Sequence, residues 1–211
     1  MLINPLRHAT FLRYGALPLG LAVLVLVLRS FFFSPYRIRT SAMTPELRLG
    51  GWALIARQST PVLGDIVLFD SPWGGQALAR IVALPGDSLE LRGGRVYTEG
   101  KRLPFSYPAE ADYALRIPRE QGVYPLTLPN LVAYRLALRE ETGYPKRSTS
   151  SRLLSKQEQH FWLQYLQANP YHTFTQDYYW VLCDQPSAGV DSRHFGLLPK
   201  QAIRGVVLFS F

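Results

Sequence analysis

Short apolar runs, separated by glycine, proline and aspartate, fill residues 36–98 and limit the possible folds more than any other feature. Each run is four to eight residues long, the usual length of a β-strand. The predicted strands are Tyr36–Thr40, Ala53–Arg57, Asp65–Asp70, Ala77–Leu84, Ser88–Arg92 and Arg95–Thr98. Gly93-Gly94 is typical of a two-residue hairpin turn. Such close spacing, with no helix between the runs, predicts an antiparallel or coiled, barrel-like sheet.

The N-terminal residues Tyr14–Phe33 contain 20 residues with a single charge at Arg29, which predicts a transmembrane helix. As a helix they would measure roughly 30 Å, about the thickness of the hydrocarbon layer. Arg29 lies near the end of this span, where its side chain can reach the headgroups. A cleaved signal peptide is the alternative interpretation, although no A-x-A-like cleavage site follows. Arginines precede and follow the span, so the positive-inside rule does not decide its orientation.

The middle of the chain has a different pattern, which predicts a mixed α/β insertion from about residue 105 to 175. Apolar spacing predicts a helix with Asn130 as N-cap and Gly143 as its stop. A capping box at 155–158 predicts a second helix that ends near Ala168. The remaining predictions are a polar loop at Lys146–Arg152 and strands at Asp177–Leu182 and Ile203–Phe209.

Composition excludes several functional classes. Cys183 is the only cysteine, which rules out an intramolecular disulfide and a cysteine-based zinc site. No P-loop, dinucleotide fingerprint or histidine-rich metal spacing occurs, so no cofactor is expected. The net charge of +8 is scattered and accompanies no nucleic-acid motif, so we expect no nucleic-acid partner. Anionic lipid headgroups are a better match for this positive charge. Trp52 and Trp73 either contact the bilayer surface or pack against the rest of the protein in the ordinary way.

Three segments together carry a resemblance to a known family. Residues 29–47 read RSFFFSPYRIRTSAMTPEL, the second segment has GDIVLF at 64–69 and ALARIVALPGD at 77–87, and residues 178–205 read YYWVLCDQPSAGVDSRHFGLLPKQAIRG. These segments resemble the bacterial type I signal peptidases, and the insertion looks most like versions found in Bacteroidetes. The family patterns are S-G-S-M-x-P-T-L, then G-D-I-V-x-F with K-R-V-x-G-L-P-G-D, and then G-D-N with D-S-R-x-W-G.

The resemblance implies a fold, a location and an activity. The fold would be mainly β, a coiled antiparallel domain with the mixed insertion and one N-terminal transmembrane helix. Residues 1–13 would be cytoplasmic, 14–33 would span the bacterial inner membrane once, and 34–211 would form the periplasmic domain. The family activity is serine endopeptidase cleavage of signal peptides during protein secretion.

The catalytic positions that the resemblance implies hold no catalytic side chain. In the family a serine nucleophile directly precedes the methionine of S-x-M, and here Ala42 precedes Met43. The lysine general base directly precedes the arginine of K-R-V, and here Ala79 precedes Arg80. A serine that orients this lysine stands two residues before the D-S-R aspartate, where this chain has Gly189. An alanine methyl neither attacks a carbonyl nor accepts a proton, so no intact catalytic residue is predicted.

Other motif residues remain, and their expected roles are structural. Pro85-Gly86-Asp87 forms a turn, Asp191 and Arg193 can pair, and Gly196 allows a tight backbone path. The complete set is Met43, Pro45, Arg80, Pro85, Gly86, Asp87, Asp184, Asp191, Arg193 and Gly196.

Substitute catalytic groups are hard to find in the sequence. Ser41 is one residue away from the nucleophile position and would point to the opposite face of a strand, while Thr40 lies about 7 Å along it. Arg80 cannot act as a base because its pKa stays above about 12. None of the histidines takes position 79; they are His8, His160, His172 and His194. A laboratory double substitution is another explanation of the two alanines, but Cys183-Asp184-Gln185 has also drifted from G-D-N.

The sequence therefore predicts a membrane-anchored pseudoprotease that acts by binding. Its expected partners are membrane lipids together with an inner-membrane protein complex, signal peptides or other extended segments. The alternative is a divergent, active signal peptidase that uses Ser41 or Thr40 with an unrecognised base.

Overall fold

The computed structural model describes residues 18–27, 29, 31–106, 112–143 and 156–211. The predicted segment 1–13 and the first residues of the predicted span lie outside this part. Residues 18–27 are helical (α1), and Phe33, the predicted last residue of the span, instead begins the first strand. Among the described residues, no helix combines the length and the apolar character needed to cross a membrane.

The structure is mainly β, and every strand pairing in the described residues is antiparallel. The strands are β1 Phe33–Arg37, β2 Trp52–Ala56, β3 Ile66–Asp70, β4 Gln76–Ala83, β5 Ser88–Arg92, β6 Arg95–Thr98, β7 Lys101–Ser106, β8 Tyr113–Arg116, β9 Val123–Pro125, β10 Tyr171–Thr173, β11 Tyr178–Leu182, β12 Leu198–Pro199 and β13 Ile203–Ser210. The main sheet has seven strands in the order β1-β2-β13-β3-β4-β11-β12. A four-stranded sheet, β7-β6-β5-β8, and the pair β10-β9 complete the β structure.

The strand predictions are accurate where the pattern is regular. The two strands of the β5–β6 hairpin have the predicted bounds, and Gly93-Gly94 connects them as predicted. The predicted first strand is wrong at both ends, since β1 runs Phe33–Arg37. Beyond Arg37 the Ile38 side chain turns into the core and is 1% exposed. Strands β7 to β10 and β12 were not predicted, because their polar or proline-containing segments lack a clear alternation.

The helices are α2 Leu128–Thr142, α3 Lys156–Ala168 and the short α4 Ser192–Phe195. Asn130 was predicted as the N-cap of α2, but the N-cap is Thr127. Asn130 is the third helical residue, and its side-chain oxygen accepts a hydrogen bond of 2.9 Å from the Thr127 N–H. The predicted stop is confirmed, because Gly143 is left-handed with φ of 67°. Ser155 and the predicted loop Lys146–Arg152 lie outside the described residues.

The insertion helix α2 is attached to the third motif segment by two backbone features. The Leu197 N–H donates to the Ala133 carbonyl at 3.1 Å. Gly196 passes so close to this carbonyl that an added Cβ would lie 2.1 Å from its oxygen. On the other side of α2, the Tyr134 hydroxyl donates to the Arg116 carbonyl of β8. The insertion therefore packs directly on both β sheets rather than projecting from them.

Candidate functional site

The three predicted catalytic positions come together in space. Ala42 and Ala79 belong to one buried apolar cluster, at 1% and 0% exposure. Gly189 adjoins this cluster, because a Cβ added there would lie 2.6 Å from the Ala42 methyl. We call this group the site cluster; its buried members are Ala42, Val67, Phe69, Ala79, Ile81, Tyr179, Val181, Cys183, Phe195, Leu198 and Val206. The positions at which the resemblance predicts a hydroxyl and an amine are therefore part of an apolar core.

A tight turn after β1 holds Ala42 in the cluster. The Thr44 N–H donates to the Ser41 carbonyl at 3.1 Å, and the Leu47 N–H donates to the Met43 carbonyl at 2.9 Å. The Gln185 N–H donates to the Ala42 carbonyl at 2.8 Å, which fastens this turn to the segment after β11. Met43 is 1% exposed and packs in a neighbouring core cluster. We call residues 41–47 the site turn.

Arg80, on the opposite face of β4 from Ala79, forms a charged network. Its Nε and Nη2 atoms donate to the two carboxylate oxygens of Asp184 at 3.0 and 2.6 Å. Nη2 also lies 2.6 Å from Glu46 Oε2, and Nη1 donates to the Gly64 carbonyl at 2.8 Å. Burial lowers the pKa of the Arg80 guanidinium, but hydrogen bonds to Asp184 and Glu46 outweigh it and the net pKa is raised. Arg80 therefore stays charged and joins β4 to β11 and to the site turn.

Asp191 organises the third motif segment from a fully buried position. Its carboxylate accepts hydrogen bonds from the Cys183 N–H at 2.9 Å and the Arg193 N–H at 3.0 Å. The Arg193 guanidinium forms an ion pair with the same carboxylate at 2.5 Å. The neighbouring Ser192 hydroxyl accepts from the Val181 N–H at 3.0 Å. These contacts have a structural role, since they fix the end of β11 against α4.

The second motif forms a turn. The Asp87 N–H donates to the Leu84 carbonyl at 3.1 Å, and the Asp87 carboxylate accepts from the Leu84 N–H at 2.8 Å. Gly86, between them, has a φ of 93°. Burial raises the pKa of the Asp87 carboxyl. The hydrogen bond from the Leu84 N–H lowers this pKa by a smaller amount, so the net pKa is raised. Asp87 therefore closes this turn with its backbone and its side chain.

The described residues contain no obvious replacement for a Ser/Lys pair. Lys101 and Lys156 are exposed, and the Lys200 side chain is 58% exposed and bonds Asp177. A lysine general base must be neutral near pH 7, which requires burial. Ser41 is half-buried and Thr40 is exposed.

Cys183 carries a thiol, a nucleophilic group, and belongs to the site cluster. Its side chain is fully buried in the site cluster. Burial raises the pKa of the Cys183 thiol to about 12, so the thiolate is absent at neutral pH. Among the described residues, no group of three or more His, Cys, Asp and Glu side chains could hold a metal ion.

Sequence reasoning missed two polar groups. Glu46, where the family pattern has threonine, completes the Arg80 network; an acidic residue in the motif was the available signal. The second group is centred on Glu141 of α2, which accepts from Tyr178 Oη at 2.8 Å and lies 2.9 Å from His172 Nε2. Nothing in the sequence pattern connects these three positions. This second group attaches α2 to β10 and β11.

A cavity of about 270 Å³ lies away from the predicted catalytic positions, between the end of β3, α2 and β12. Its lining is mostly apolar, with Asp70 and Glu140 as acidic members. The Asp70 carboxylate is already paired with Arg204, and Glu140 accepts from the Gln201 amide at 2.7 Å. None of the positions 42, 79 and 189 lines it.

The geometry defines a class of protein: an antiparallel β domain that brings a turn, a central strand and a loop together at one buried cluster. A family model described as "Signal peptidase, peptidase S26" matches residues 11–211, so the chain belongs to this family, which contains the signal peptidase I serine endopeptidases.

Individual relatives agree with this assignment. The chain is similar to signal peptidase I of Aquifex aeolicus (strain VF5), at 26% identity, with 86% of this chain and 76% of the relative covered. It is also similar to probable signal peptidase I-1 of Synechocystis sp., at 32% identity over 47% of this chain and 59% of the relative. A solved signal peptidase I of Enterococcus faecalis V583 matches at 22% identity, 70% and 97% coverage and a TM-score of 0.35.

Proposed function

We propose that this chain is a pseudoprotease of the signal peptidase family that acts by binding rather than by hydrolysis. The observation that carries the proposal is the apolar site cluster at the predicted catalytic positions, with Ala42 and Ala79 buried in it. A Ser/Lys mechanism requires a hydroxyl beside a neutral amine, and methyl groups supply neither. Loss of a nucleophile or base typically costs several powers of ten in rate.

Retention of the surrounding structure supports a binding role. The Arg80–Asp184–Glu46 network and the Asp191 contacts keep the site turn, β4 and β11 in fixed positions. Within the described residues, β1 and β12 end the seven-stranded sheet, and each has one strand partner in it. An extended segment can add to such an edge through main-chain hydrogen bonds, without catalytic side chains. Signal peptides and other extended segments are therefore the proposed ligands, and a fixed inner-membrane complex is the alternative partner.

Membrane lipids are the second proposed partner, and exposed aromatic side chains support this. Trp52, Phe209 and Phe211 are 43%, 55% and 70% exposed. Trp52 and Phe211 exchange two backbone hydrogen bonds of 2.8 Å, so these rings lie on neighbouring strand ends. Arg37, opposite Trp52 in the sheet, is exposed. The amphipathic Trp52 ring and the apolar Phe209 and Phe211 rings, beside a cationic side chain, favour an anionic membrane surface. This supports a single-pass inner-membrane protein whose C-terminal domain is periplasmic.

Proteolysis is the direct test of the proposal. The full chain, reconstituted in vesicles, is mixed with a preprotein that carries a small-x-small cleavage site, beside an active family member as positive control. We expect no cleavage by this chain. Cleavage that disappears in Ser41→Ala or Thr40→Ala would instead establish the divergent active enzyme, with that hydroxyl as nucleophile.

Crosslinking in membranes distinguishes the two binding roles. Photocrosslinkers placed at exposed positions of β1 would capture extended precursors if the chain holds peptides. Recovery of the same membrane protein in fixed proportion, with no precursor, would favour a scaffold. A crosslinker on the exposed Lys156 of helix α3, which is not part of a sheet edge, provides the matched control for nonspecific capture.

A further inference from the structure

The backbone segments that carry residues 42 and 189 lie closer together than two side chains allow. A Cβ added at Gly189 would be 2.6 Å from the Ala42 Cβ. Nonbonded carbon atoms normally contact at about 3.5–4.0 Å. One of the two positions can carry a side chain in this structure, but both cannot. Family members with serine at each position need more room than this backbone provides.

Cys183 fills the remaining space beside Gly189. The same added Cβ would be 2.7 Å from the Cys183 Sγ. The thiol is held in place, since Sγ lies 3.8 Å from the Leu78 carbonyl oxygen and 3.7 Å from that of Val190. The backbone of Cys183 is fixed as well, because its N–H donates to Asp191. In the family pattern this position is the glycine of G-D-N, which has no side chain.

We infer that the catalytic chamber has closed: positions 42, 183 and 189 share one packed volume, so hydrolysis cannot return by restoring the nucleophile and base alone. This inference rests on the proposed function and explains how the loss of activity is built into the backbone. It assigns Cys183 the role of a space-filling residue that excludes the lysine-orienting hydroxyl. A substitution of only Ala42 and Ala79 in an active enzyme would leave the family glycine at 183 and the serine at 189.

A stability cycle tests the shared volume without reference to activity. Gly189→Ala should lower Tm by roughly 5–10 °C, because overpacking a closed core forces neighbouring atoms apart. In the background Ala42→Gly/Cys183→Ala both close contacts are removed, and the same Gly189→Ala change should cost less than about 2 °C. The relieved background is itself the matched control, because it receives the same methyl at position 189 without the two close contacts.

Two results would overturn the inference. One is a Gly189→Ala protein as stable as its parent. The other is an equal loss, or equal failure to fold, in the parent and in the relieved background. If Gly189→Ala folds only in the relieved background, the shared volume is established even though the single variant gives no Tm.

An activity series separates this inference from the proposed function. Ala42→Ser/Ala79→Lys should remain inactive toward the preprotein, and adding Gly189→Ser should lower Tm rather than restore cleavage. Recovery of cleavage in either protein would contradict the closed chamber while leaving the inactive parent unchanged. Cleavage by the parent itself would refute the proposed function, and the stability cycle would still report on packing.

Discussion

The two faces of β4 and β11 differ sharply at the predicted site. On one face Ala79 and Cys183 pack in the apolar site cluster. On the other face their chain neighbours Arg80 and Asp184 form a bidentate ion pair. Successive residues of a strand point to opposite faces, which separates Ala79 from Arg80 on β4, and Cys183 and Asp184 follow directly after the end of β11 at Leu182. The face with the predicted catalytic positions is apolar, whereas the other face carries the ion pair that joins β4 to the segment after β11.

This difference indicates which family motifs are needed for folding. Arg80 is buried, and removing its guanidinium takes a charged hydrogen-bond partner from Asp184, whose side chain is only 17% exposed. Ala79, in contrast, makes no polar contact with its side chain and lies in the apolar site cluster. A change of side-chain polarity at position 79 therefore breaks no hydrogen bond, whereas loss of the ion pair on the other face is costly.

The largest effect is expected from placing a charge on the apolar face. Ala79→Lys should destabilise the protein by about 4–7 kcal/mol at pH 7, because burial lowers a lysine pKa by up to about 3–5 units. The folded-state pKa of this lysine would lie below its unfolded value, so the destabilisation should diminish as pH rises toward about 10. Chemical denaturation at pH 7 and pH 10 measures this.

Ala79→Met is the control for side-chain size, since methionine is long but uncharged. Its destabilisation should be smaller at pH 7 and should not show the same pH dependence. Equal stabilities of the two variants at pH 7 would mean that water reaches position 79. The face of β4 that carries Ala79 would then not be a dry, apolar environment.

The next largest effect should come from the charged face. Arg80→Met should lower the free energy of unfolding by about 3–5 kcal/mol, because the carboxylates of Asp184 and Glu46 both lose their ion pair with Arg80. The exposed Arg204–Asp70 pair supplies the control: Arg204→Met should change the denaturation midpoint far less. Similar losses for the two substitutions would show that Arg80 contributes no more than a surface ion pair.

Two glycines with positive φ, one in the third motif segment and one in the turn between β6 and β7, test the role of close packing. Gly196, a retained motif residue, has φ of 87° and leaves no room beside the Ala133 carbonyl. Gly196→Ala should cost about 2–3 kcal/mol from backbone strain and overpacking. Gly100→Ala, with φ of 72° and open space around it, should cost about 1 kcal/mol. Urea denaturation measures the loss of unfolding free energy in each variant. Equal losses would show that close packing against the Ala133 carbonyl does not restrict position 196.

The smallest effect is expected at Asp70. The hydrogen bond from Arg204 lowers the pKa of the Asp70 carboxyl. Both side chains are exposed, so solvent screens this ion pair and its contribution to stability is small. Asp70→Asn should lower Tm by about 2 °C or less at pH 7. Because the folded-state pKa is depressed, this difference should be present above pH ~4 and disappear as pH falls through the lowered pKa. A loss that persists at pH 2 would have to come from another contact.

The sequence predicted the parts of the fold that depend on local pattern. Gly93-Gly94 determines a hairpin locally, and Gly143 ends α2 because left-handed backbone favours glycine. The start of α2 was misplaced because Thr127 and Asn130 are both good capping residues, and only tertiary packing decides between them. The positions Ala42, Ala79 and Gly189 were found through motif order. The close approach of residues 42 and 189 was not predictable, because it depends on the distance between segments almost 150 positions apart.

The contact between Ala133 and residues 196–197 has a consequence for how the molecule can be dissected. A mid-helix carbonyl of the insertion serves as hydrogen-bond acceptor for the strand-bound segment after α4. Excision of residues 105–175 would therefore leave the Leu197 amide without its partner and open a gap above Gly196. A protein shortened in this way should be less stable than the full chain, because helix α2 packs against the β core and completes its hydrogen bonding.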